Sequence, residues 1–299
     1  MTNARSTIAV ITVTWNSADT IQGCLTPFAA CDDIEVIMVD NASADDTIAR
    51  AREALPRAVV VQTGANCGFA AAVNAGIAAS DAETVVLLNP DGSTTPDDVR
   101  RLTSQLDEAD VVAPRIVDET GAVARSVRRQ PTVIDQFVVA FGLHRVIPAR
   151  DPDGDQGAGS AIEPLDVDIV SGACFATTRE RFEELGGLDE RFFLYAEEVD
   201  YCIRVRRHGG TLRYDPRSRA MHIGGVSAAK TGGGTAFILF ESRVRLFDKH
   251  RGRLAAHLVR AALVVLALRR RDRRALRAMV RPLHKIVTPT HPTPTPTIV

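Results

Sequence analysis

The sequence predicts an α/β fold with a mostly parallel central sheet. Apolar, β-branched runs begin near Ile8, Ile34, Val59, Thr84 and Val111, at spacings of 25 to 27 residues. The stretches between these runs are rich in alanine, arginine and glutamate and are compatible with helices. Continuous apolar strands that alternate with helices are typical of βαβ units, whose helices cover both faces of a parallel sheet.

Capping residues mark the starts of two helices in this first part of the chain. Ser43 lies three residues before Asp46, and Thr95 lies before Pro96 and Asp98. A serine or threonine followed at the third position by an acid resembles a capping box, and proline is favoured at the first helical position. Helices are therefore predicted to begin after Ser43 and after Thr95.

The strand–helix pattern weakens after residue 130 and then returns. Residues 151–159 predict a flexible loop. The later elements are an ordered segment at Val167–Ala176, helices at Thr178–Leu185 and Glu197–His208, a strand at Tyr214–Ile223, and two or three helices within Phe237–Met279. The Pro/Thr-rich residues 288–299 predict a disordered tail.

The chain is thereby predicted to have three parts: an α/β domain at residues 1–225, a basic helical region at residues 226–287, and the tail. Residues 251–285 contain eleven arginines and lysines and one acid, a charge of +10, whereas the net charge of the whole chain is −1. The other residues therefore sum to −11. This asymmetry predicts an anionic surface as a partner. A membrane surface is favoured by the apolar residues beside the arginines, namely Leu258, Val259, Ala262, Leu263, Leu266 and Leu268. The alternative is a helix that packs on the α/β domain and exposes a solvated basic face.

Composition excludes several classes of protein. With 45% hydrophobic and 24% charged residues, the chain is not intrinsically disordered. The longest apolar run, Ala261–Leu268, is too short to span a bilayer, and the N-terminus lacks the pattern of a signal peptide. Five cysteines without a C-x-x-C pair argue against a disulfide framework and a zinc site. These features predict a cytosolic protein, with peripheral attachment to the inner face of the membrane left open.

Polar residues follow four of the predicted strands. They are Thr14 and Asn16, Asp40 and Asn41, Asn66, and Asn89 with Asp91, in chain order. Ligands of open parallel sheets bind beyond the carboxyl ends of the strands, so these residues predict a shared polar cleft. The chain has neither a G-x-G-x-x-G sequence nor a P-loop, which argues against the two common nucleotide-binding loops. Asp91 would instead hold Mg²⁺ or Mn²⁺ beside a diphosphate, although NPDG is also an ordinary β-turn sequence.

Six segments carry a family resemblance through their order and spacing. They are VITVTWNS (10–17), VIMVDNASADDT (36–47), GANCGFAAAVNAGI (64–77), LLNPDG (87–92), SGACFATTRERFEELGGLDERFFLYAEEVDYCIRVRRHG (171–209) and MHIGG (221–225). The chain thus resembles the family 2 glycosyltransferases, particularly the bacterial rhamnosyltransferase-like group. The resemblance implies a GT-A fold, in which a nucleotide-sugar-binding sheet continues into a smaller acceptor-side sheet.

The resemblance also implies roles for individual residues. Together with the strand ends it implies nine donor-binding residues, namely Thr14, Asn16, Asp40, Asn41, Asn66, Gly68, Asn74, Asn89 and Asp91. Asp91 would be the metal-binding carboxylate of the D-x-D-type motif, in which Asn89 replaces the first acid. His222 would help to hold the metal or the diphosphate, with a purely structural histidine as the alternative.

On the acceptor side the resemblance implies that Gly172 and Ala173 border the site. Arg128 and Arg129, together with Arg125, would meet phosphate charge, and a solvated basic loop explains them equally well.

Three acids open the predicted helix at residues 197–208. Helical geometry places Glu197 and Asp200 on one face, with Asp200 four residues before Arg204 at an ordinary ion-pair spacing, while Glu198 points elsewhere. The helix dipole alone would favour acids here. The family's general base lies at the second acidic position and is usually aspartate, so the resemblance implies Glu198 as the catalytic base, with Glu197 as the alternative.

The implied function is an inverting, metal-dependent glycosyltransferase. By resemblance the donor is dTDP-L-rhamnose, and the acceptor is a hydroxyl of a cell-envelope glycan or of a polyprenyl-diphosphate-linked glycan. UDP-galactofuranose or a UDP-hexose is the alternative donor, and a catalytically silent sugar-nucleotide-binding protein is the alternative class. No nucleic-acid partner is implied, and a homo-oligomer is left open.

Overall fold

A computed structural model of the chain describes residues 7–147, 158–224, 235–283, 286 and 292–299. Most of the loop predicted at residues 151–159 lies outside these residues. Twelve strands occur in the described part: β1 Ile8–Thr14, β2 Ile34–Asp40, β3 Val59–Gln62, β4 Thr84–Leu88, β5 Gly92–Thr94, β6 Val111–Val117, β7 Val127–Arg128, β8 Leu165–Asp166, β9 Ile169–Val170, β10 Cys174–Thr178, β11 Leu212–His222 and β12 Thr297–Ile298.

Nine α-helices and three short 3₁₀ helices accompany these strands in the same described ranges. The α-helices are α1 Ile21–Leu25, α2 Thr47–Ala54, α3 Phe69–Ala78, α4 Pro96–Thr103, α5 Val133–Ala140, α6 Arg179–Glu184, α7 Glu197–Arg207, α8 Thr235–Arg270 and α9 Arg273–Met279. The 3₁₀ helices are Thr26–Phe28, Ser104–Asp107 and Leu143–Arg145.

The central sheet has ten strands, nine of them in the order β12-β3-β2-β1-β4-β10-β6-β11-β5, while β8 pairs with β11. Strands β3, β2, β1 and β4 are parallel, as the repeated strand–helix pattern predicted. One apolar cluster packs α3 and α7 on one face, and another packs α1, α2 and α4 on the opposite face. The predicted α/β class, with its mostly parallel sheet and C-terminal helices, is confirmed.

The sheet continues past β4 in a way that the repeated pattern did not indicate. Strand β10 lies antiparallel between β4 and β6, and β6 pairs in parallel with β11. A separate two-stranded sheet joins β7 to β9. This second half brings Ala173 and His222 beside Asn89, which directly follows β4.

Of the two predicted helix starts, one is confirmed and one is wrong. Thr95 Oγ1 accepts the hydrogen bond of Asp98 N at 3.1 Å, as expected of a cap. Helix α2 begins only at Thr47. Ser43 Oγ instead accepts from Asn16 N at 2.9 Å, so Ser43 joins the loops that follow β1 and β2.

The C-terminal helices pack against the domain through α5 and α7. Helix α8 bends at Gly252, whose φ of 81° is outside the helical region, and it forms an apolar cluster with α5 and α9. Four of the six apolar residues that were expected to favour a membrane contact are buried in this cluster, namely Val259, Ala262, Leu263 and Leu266. Among the described residues, no helix is long and apolar enough to cross a membrane.

The predicted disordered tail is wrong for its last residues. Thr297 and Ile298 form β12, which pairs antiparallel with Gln62 and Val61 at the edge of the sheet. Edge strands expose unpaired backbone groups, and the tail satisfies those of β3. The Pro/Thr-rich composition did not reveal this pairing because it depends on a partner more than 200 residues away.

A buried group of charges joins α7 to α8. Asp200 is fully buried and accepts hydrogen bonds from Arg204 Nε at 2.8 Å and from His250 Nε2 at 2.7 Å. Lys249 Nζ lies 2.6 Å from Asp200 Oδ1. The predicted pair between Asp200 and Arg204 is confirmed. Burial alone raises the pKa of Asp200, but these partners outweigh it and hold the pKa below its usual value.

We expect Asp200→Ala to lower the free energy of unfolding by about 3–5 kcal/mol, because it leaves buried cations without their anion. The pKa of Asp200 is lowered on folding, so this contribution is complete above about pH 5 and is lost as the pH falls below about 4. Urea unfolding at pH 7 and pH 3 measures both effects. Asp97→Ala, which removes an exposed ion pair with Arg100, should cost about 1 kcal/mol or less. Equal losses for the two variants would contradict the expectation.

Candidate functional site

A cavity of about 270 Å³, here called the strand-end cavity, lies at the carboxyl ends of β1, β2 and β4. Six residues predicted from the sequence line it: Asn41, Asn66, Gly68, Asn89, Asp91 and His222. They come from four separate segments of the chain. The shared polar cleft predicted from the strand ends is therefore present in the structure.

Asn41 organises one wall of the strand-end cavity. Its Oδ1 accepts hydrogen bonds from Cys67 N and Thr63 Oγ1, both at 3.0 Å. Its Nδ2 donates to Asn66 Oδ1 at 3.1 Å and to the Gly68 carbonyl at 3.2 Å. The side chain of Asn41 thus holds the loop after β3 against the end of β2.

Thr14, Asn16 and Asp40 have a different place. Among the described residues, the wall of the strand-end cavity does not include them. Thr14 Oγ1 donates to Asp40 Oδ1 at 3.2 Å, and Asp40 Oδ2 accepts from Ser43 N at 3.1 Å. Asn16 Oδ1 accepts from Ala44 N at 2.8 Å. In this structure the three side chains join the ends of β1 and β2 through these hydrogen bonds. They thereby stabilise two of the strand ends at which the cavity lies.

Asp91 and His222 face each other at the other side of the strand-end cavity. Asp91 Oδ1 lies 3.1 Å from His222 Nε2, and Asn89 Nδ2 lies 3.3 Å from the same nitrogen. Gly92 N donates to the Asn89 carbonyl at 2.9 Å, so NPDG forms a turn that also presents two side chains to the cavity. Burial raises the pKa of Asp91, but its hydrogen bond and charge attraction with His222 lower the pKa by more.

The donor set around Asp91 fits a divalent ion that binds together with a diphosphate. In the described ranges, no group of three or more histidine, cysteine, aspartate or glutamate residues could hold a metal alone. Mg²⁺ usually takes only one or two carboxylates from the protein and its other oxygen ligands from phosphates and water. Asp91 supplies such a carboxylate, with its pKa held low, and His222 supplies a nitrogen beside it.

A second cavity, of about 100 Å³, is here called the Glu198 cavity. Its polar wall consists of Glu198 with Arg128, Arg129 and Arg243, and Tyr195 lies on its wall and on that of the strand-end cavity. The two cavities are therefore neighbours: Leu194 lines the strand-end cavity, Ala196 lines the Glu198 cavity, and Tyr195 lines both.

Glu198 projects from the first turn of α7 into its cavity. Its Oε1 accepts a hydrogen bond from Arg128 Nη2 at 3.0 Å. A Cβ at Gly172 would lie 3.5 Å from the Cβ and Cγ of Glu198, at an ordinary van der Waals distance, so Gly172 lies directly beside this side chain. Ala173, whose carbonyl accepts from Asn89 N at 2.9 Å, connects this region to the strand-end cavity.

Glu197 points the other way, into the protein. It is 5% exposed, and within the described part of the chain its Oε2 has no hydrogen-bond partner. Burial, followed by the nearby charge of Glu198, raises the pKa of Glu197 well above its usual value. Glu197 thus lies on the buried face of α7 with Asp200, and Glu198 lies on another face, as the helical spacing predicted.

Backbone strain precedes the two glutamates. Tyr195 and Ala196 have φ values of 69° and 70°, in the left-handed region that residues with a Cβ rarely adopt. Each such residue costs on the order of 1–3 kcal/mol and persists only where the surroundings enforce it. Here the strained pair places Tyr195 between the two cavities and starts α7 directly at Glu197.

The structure differs from the sequence-based expectation for Asn74. Its Nδ2 donates to the Leu188 carbonyl and to Glu190 Oε1, both at 2.9 Å, and its Oδ1 accepts from Leu188 N at 3.0 Å. Asn74 lies in a third cavity, with Lys249 and Arg204, away from the strand-end cavity. Its role in this structure is to hold the turn after α6 against α3.

Sequence reasoning missed several residues of the two cavities. Trp15 and Phe193 line the strand-end cavity together with Ile238, and Arg243 lines the Glu198 cavity. Trp15 lies within one of the six family segments and could have been singled out. Ile238 and Arg243 belong to α8, outside every motif, and only the packing of α8 reveals them.

Comparisons with known proteins agree with this arrangement. A family model described as glycosyl transferase family 2 matches residues 9–186, more than half of the chain. An N-acetylglucosaminyl-diphospho-decaprenol L-rhamnosyltransferase of Mycobacterium tuberculosis is 29% identical over 311 residues, covering 93% of this chain and 99% of that protein. The low-salt glycan biosynthesis hexosyltransferase Agl10 of Haloferax volcanii is 27% identical, covering 67% of this chain and 62% of its own.

Two solved structures resemble the fold. The mannosyltransferase PcManGT of Pyrobaculum calidifontis, in complex with GDP-Man and Mn²⁺, has a TM-score of 0.53 and 19% identity, covering 96% of this chain and 84% of that chain. S. aureus TarS 1-349 has a TM-score of 0.51 and 14% identity, covering 93% and 76%. These likenesses confirm the predicted GT-A fold.

Proposed function

Because the chain belongs to glycosyltransferase family 2, we propose that it transfers L-rhamnose from dTDP-L-rhamnose to a hydroxyl group of a lipid-linked acceptor. The observation that carries the proposal is the adjacency of the strand-end cavity and the Glu198 cavity, with Tyr195 between them. The name of the Mycobacterium tuberculosis relative supports both L-rhamnose and an acceptor whose sugar is joined to a lipid through a diphosphate.

In this proposal the nucleotide sugar occupies the strand-end cavity. Asn41 and the loop that it holds would bind the nucleoside, while Asp91 and His222 would hold a divalent ion, Mg²⁺ or Mn²⁺. When bound, such an ion neutralises negative charge that develops on a diphosphate leaving group. Asn89, close to His222, would fix the orientation of that imidazole.

The acceptor occupies the Glu198 cavity. The carboxylate of Glu198 takes the proton of an acceptor hydroxyl, whose oxygen forms a bond to the anomeric carbon as the bond to the nucleoside diphosphate breaks. Attack on the face opposite the leaving group inverts the anomeric configuration. Arg128 orients the carboxylate through its 3.0 Å hydrogen bond.

A panel of donors tests the proposal. With Mn²⁺ and a short-chain N-acetylglucosaminyl-diphospho-lipid, dTDP-L-rhamnose should yield a disaccharide product and dTDP, whereas UDP-galactofuranose and UDP-hexoses should not. Mass spectrometry of the product and NMR of its anomeric centre report transfer and inversion. Transfer from a UDP-sugar alone would contradict the donor, and donor binding without any transfer would support a silent binding protein.

We also propose that the protein contacts an anionic membrane surface. Five exposed apolar residues lie in and directly after α5: Ile134, Phe141, Leu143, Val146 and Ile147. Arg269 Nη1 donates to the Ala140 carbonyl at 2.6 Å, which places the basic end of α8 beside this apolar segment. Exposed apolar side chains next to arginines suit the headgroup region of an anionic bilayer. A lipid-linked acceptor would be within reach there.

For this contact we expect Phe141→Ser combined with Val146→Ser to reduce co-sedimentation with phosphatidylglycerol-containing vesicles by about tenfold, since each change removes apolar area from the interface. Ile162→Ser, at an exposed position outside the segment, is the matched control and should bind as the wild type does. Equal sedimentation of wild type with anionic and neutral vesicles at low salt would refute the membrane contact.

A further inference from the structure

Residues 193–196, here called the strained segment, lie between the two cavities and shortly before Glu198. Tyr195 and Ala196 have φ values of 69° and 70° although neither is a glycine. Ala196 is also the N-cap residue of α7, and no side-chain hydrogen bond caps the helix there, whereas a serine or an aspartate would provide one. The local sequence therefore disfavours this backbone conformation, which contacts from other elements must hold in place.

Hydrogen bonds from two other elements reach the main chain of the strained segment. Phe69 N, at the start of α3, donates to the Phe193 carbonyl at 2.7 Å. Ser242 Oγ, from α8, donates to the Leu194 carbonyl at 2.9 Å. The chain is thus held from two sides immediately before the two residues with positive φ. The bond from α3 comes from a backbone amide, whereas the bond from α8 depends on one side chain.

The position of Ser242 on α8 explains how it reaches the strained segment. Ile238, four residues earlier, lines the strand-end cavity, and Leu246, four residues later, lines the Glu198 cavity. Residues four apart lie on the same face of a helix. A serine inside a helix can bond to a carbonyl of its own helix, but this hydroxyl donates to Leu194 in another segment. Ser242 is 1% exposed, so bulk water does not compete for the bond.

We propose that Ser242 is a positioning residue, whose hydrogen bond to the Leu194 carbonyl holds the strained segment and thereby places Tyr195 and Glu198. The inference rests on the proposed function, in which Glu198 takes the proton of the acceptor hydroxyl. Ser242 is not among the described residues of either cavity wall, so it acts through the strained segment. A displacement of about 1 Å in a reacting group can lower a rate by about 10²-fold.

Ser242→Ala removes only the hydroxyl group, and alanine is the best helix former, so α8 should persist. We expect kcat to fall by about tenfold or more because Glu198 is misplaced. The KM of the donor should change by less than about threefold, since Asp91 and His222 lie across the strand-end cavity from α8. Steady-state kinetics with dTDP-L-rhamnose and a short-chain N-acetylglucosaminyl-diphospho-lipid separate the two constants.

Ser80→Ala is the matched control. Ser80 is also buried, and its Oγ donates to Glu35 Oε2. It belongs to neither cavity wall within the described ranges, so this variant should keep the kcat of the wild type. An equal fall of kcat in the two variants would show that loss of any buried serine hydroxyl has this effect, and it would overturn the inference.

Hydrogen exchange examines the strained segment without sugar transfer. Asp200 N donates to the Ala196 carbonyl at 2.9 Å, so the Asp200 amide exchanges when the start of α7 opens. Mass spectrometry of peptides covering residues 193–201 should show exchange of this amide about three- to tenfold faster in Ser242→Ala, the effect expected for loss of one hydrogen bond. Peptides of β6 should exchange at the wild-type rate.

A double-mutant cycle tests whether Ser242 counteracts backbone strain. Glycine adopts a positive φ without the steric cost that alanine has, so the strained segment needs less support in Ala196→Gly. In that background Ser242→Ala should lower kcat by about threefold at most, against about tenfold in the wild type. Equal losses in the two backgrounds would overturn the inference.

The remaining outcomes distinguish this inference from the proposed function. If the wild type transfers sugar and Ser242→Ala retains both its kcat and its exchange rates, the inference is wrong and the proposed function stands. If the wild type transfers no sugar but Ser242→Ala accelerates exchange at Asp200, the proposed function is contradicted, whereas the bond from Ser242 still holds the strained segment.

Discussion

Glu198→Gln is expected to lower the rate of sugar transfer by about 10² or more at saturating donor and acceptor. Glutamine keeps the size of the side chain and an oxygen that accepts the hydrogen bond of Arg128, but it cannot take a proton. The Kd of the donor, measured by calorimetry, should change little, because Glu198 lies in the neighbouring cavity. Rapid-quench measurement of product formation gives the rate of the chemical step.

Glu197→Gln is the matched control for this experiment. Glu197 is buried, and its raised pKa favours the neutral carboxyl form, which glutamine resembles in shape and charge. Its substitution should therefore cost less than that of Glu198. If Glu198→Gln transfers sugar at nearly the wild-type rate while Glu197→Gln is inactive, Glu197 is the base and the role given to Glu198 is wrong.

Asp91→Asn is expected to remove the metal-dependent part of donor binding. The affinity of a divalent-ion site depends on the charge of its ligands, so loss of the carboxylate should weaken binding of dTDP in the presence of Mn²⁺ by about 10- to 100-fold. Asparagine is isosteric, and the main-chain bond from Ile223 N to the Asp91 carbonyl is unaffected, so the fold should persist. Calorimetric titration of dTDP with and without Mn²⁺ measures the difference.

Asp118→Asn provides the control for Asp91. Asp118 also lies in a turn, where its Oδ1 accepts from Thr120 N at 2.8 Å, but it is remote from the strand-end cavity wall. This variant should bind dTDP and Mn²⁺ as the wild type does. Metal-dependent affinity that is unchanged in Asp91→Asn would show that another group holds the ion.

Local sequence patterns were sufficient for the first half of the sheet and for most of the strand-end cavity. The five apolar runs begin at the residues where β1, β2, β3, β4 and β6 begin. Since the carboxyl ends of parallel strands meet at one edge, the order of the strands along the chain was enough to place the polar residues after them together. Asn41, Asn89 and Asp91 lie on that cavity wall.

The sequence pattern could not distinguish residues that line the cavity from residues of the same type that have other partners. Asn41 lines the cavity, whereas Asn74, in the same family segment as Gly68, bonds to Leu188 and Glu190 elsewhere. Which way an asparagine faces depends on its partners in space. Those partners are more than 100 residues away in the case of Asn74.

The sequence by itself determined the α/β class, the family resemblance, the strand-end cleft and the different faces of α7 on which Glu197 and Glu198 lie, because each follows from the periodicity or order of neighbouring residues. Only the tertiary structure decided that β10 enters the sheet antiparallel, that β12 closes its edge, and that α8 brings Arg243 to the Glu198 cavity. These features depend on hydrogen bonds and apolar contacts between distant segments, whose energies come from burial in the assembled fold rather than from local propensity.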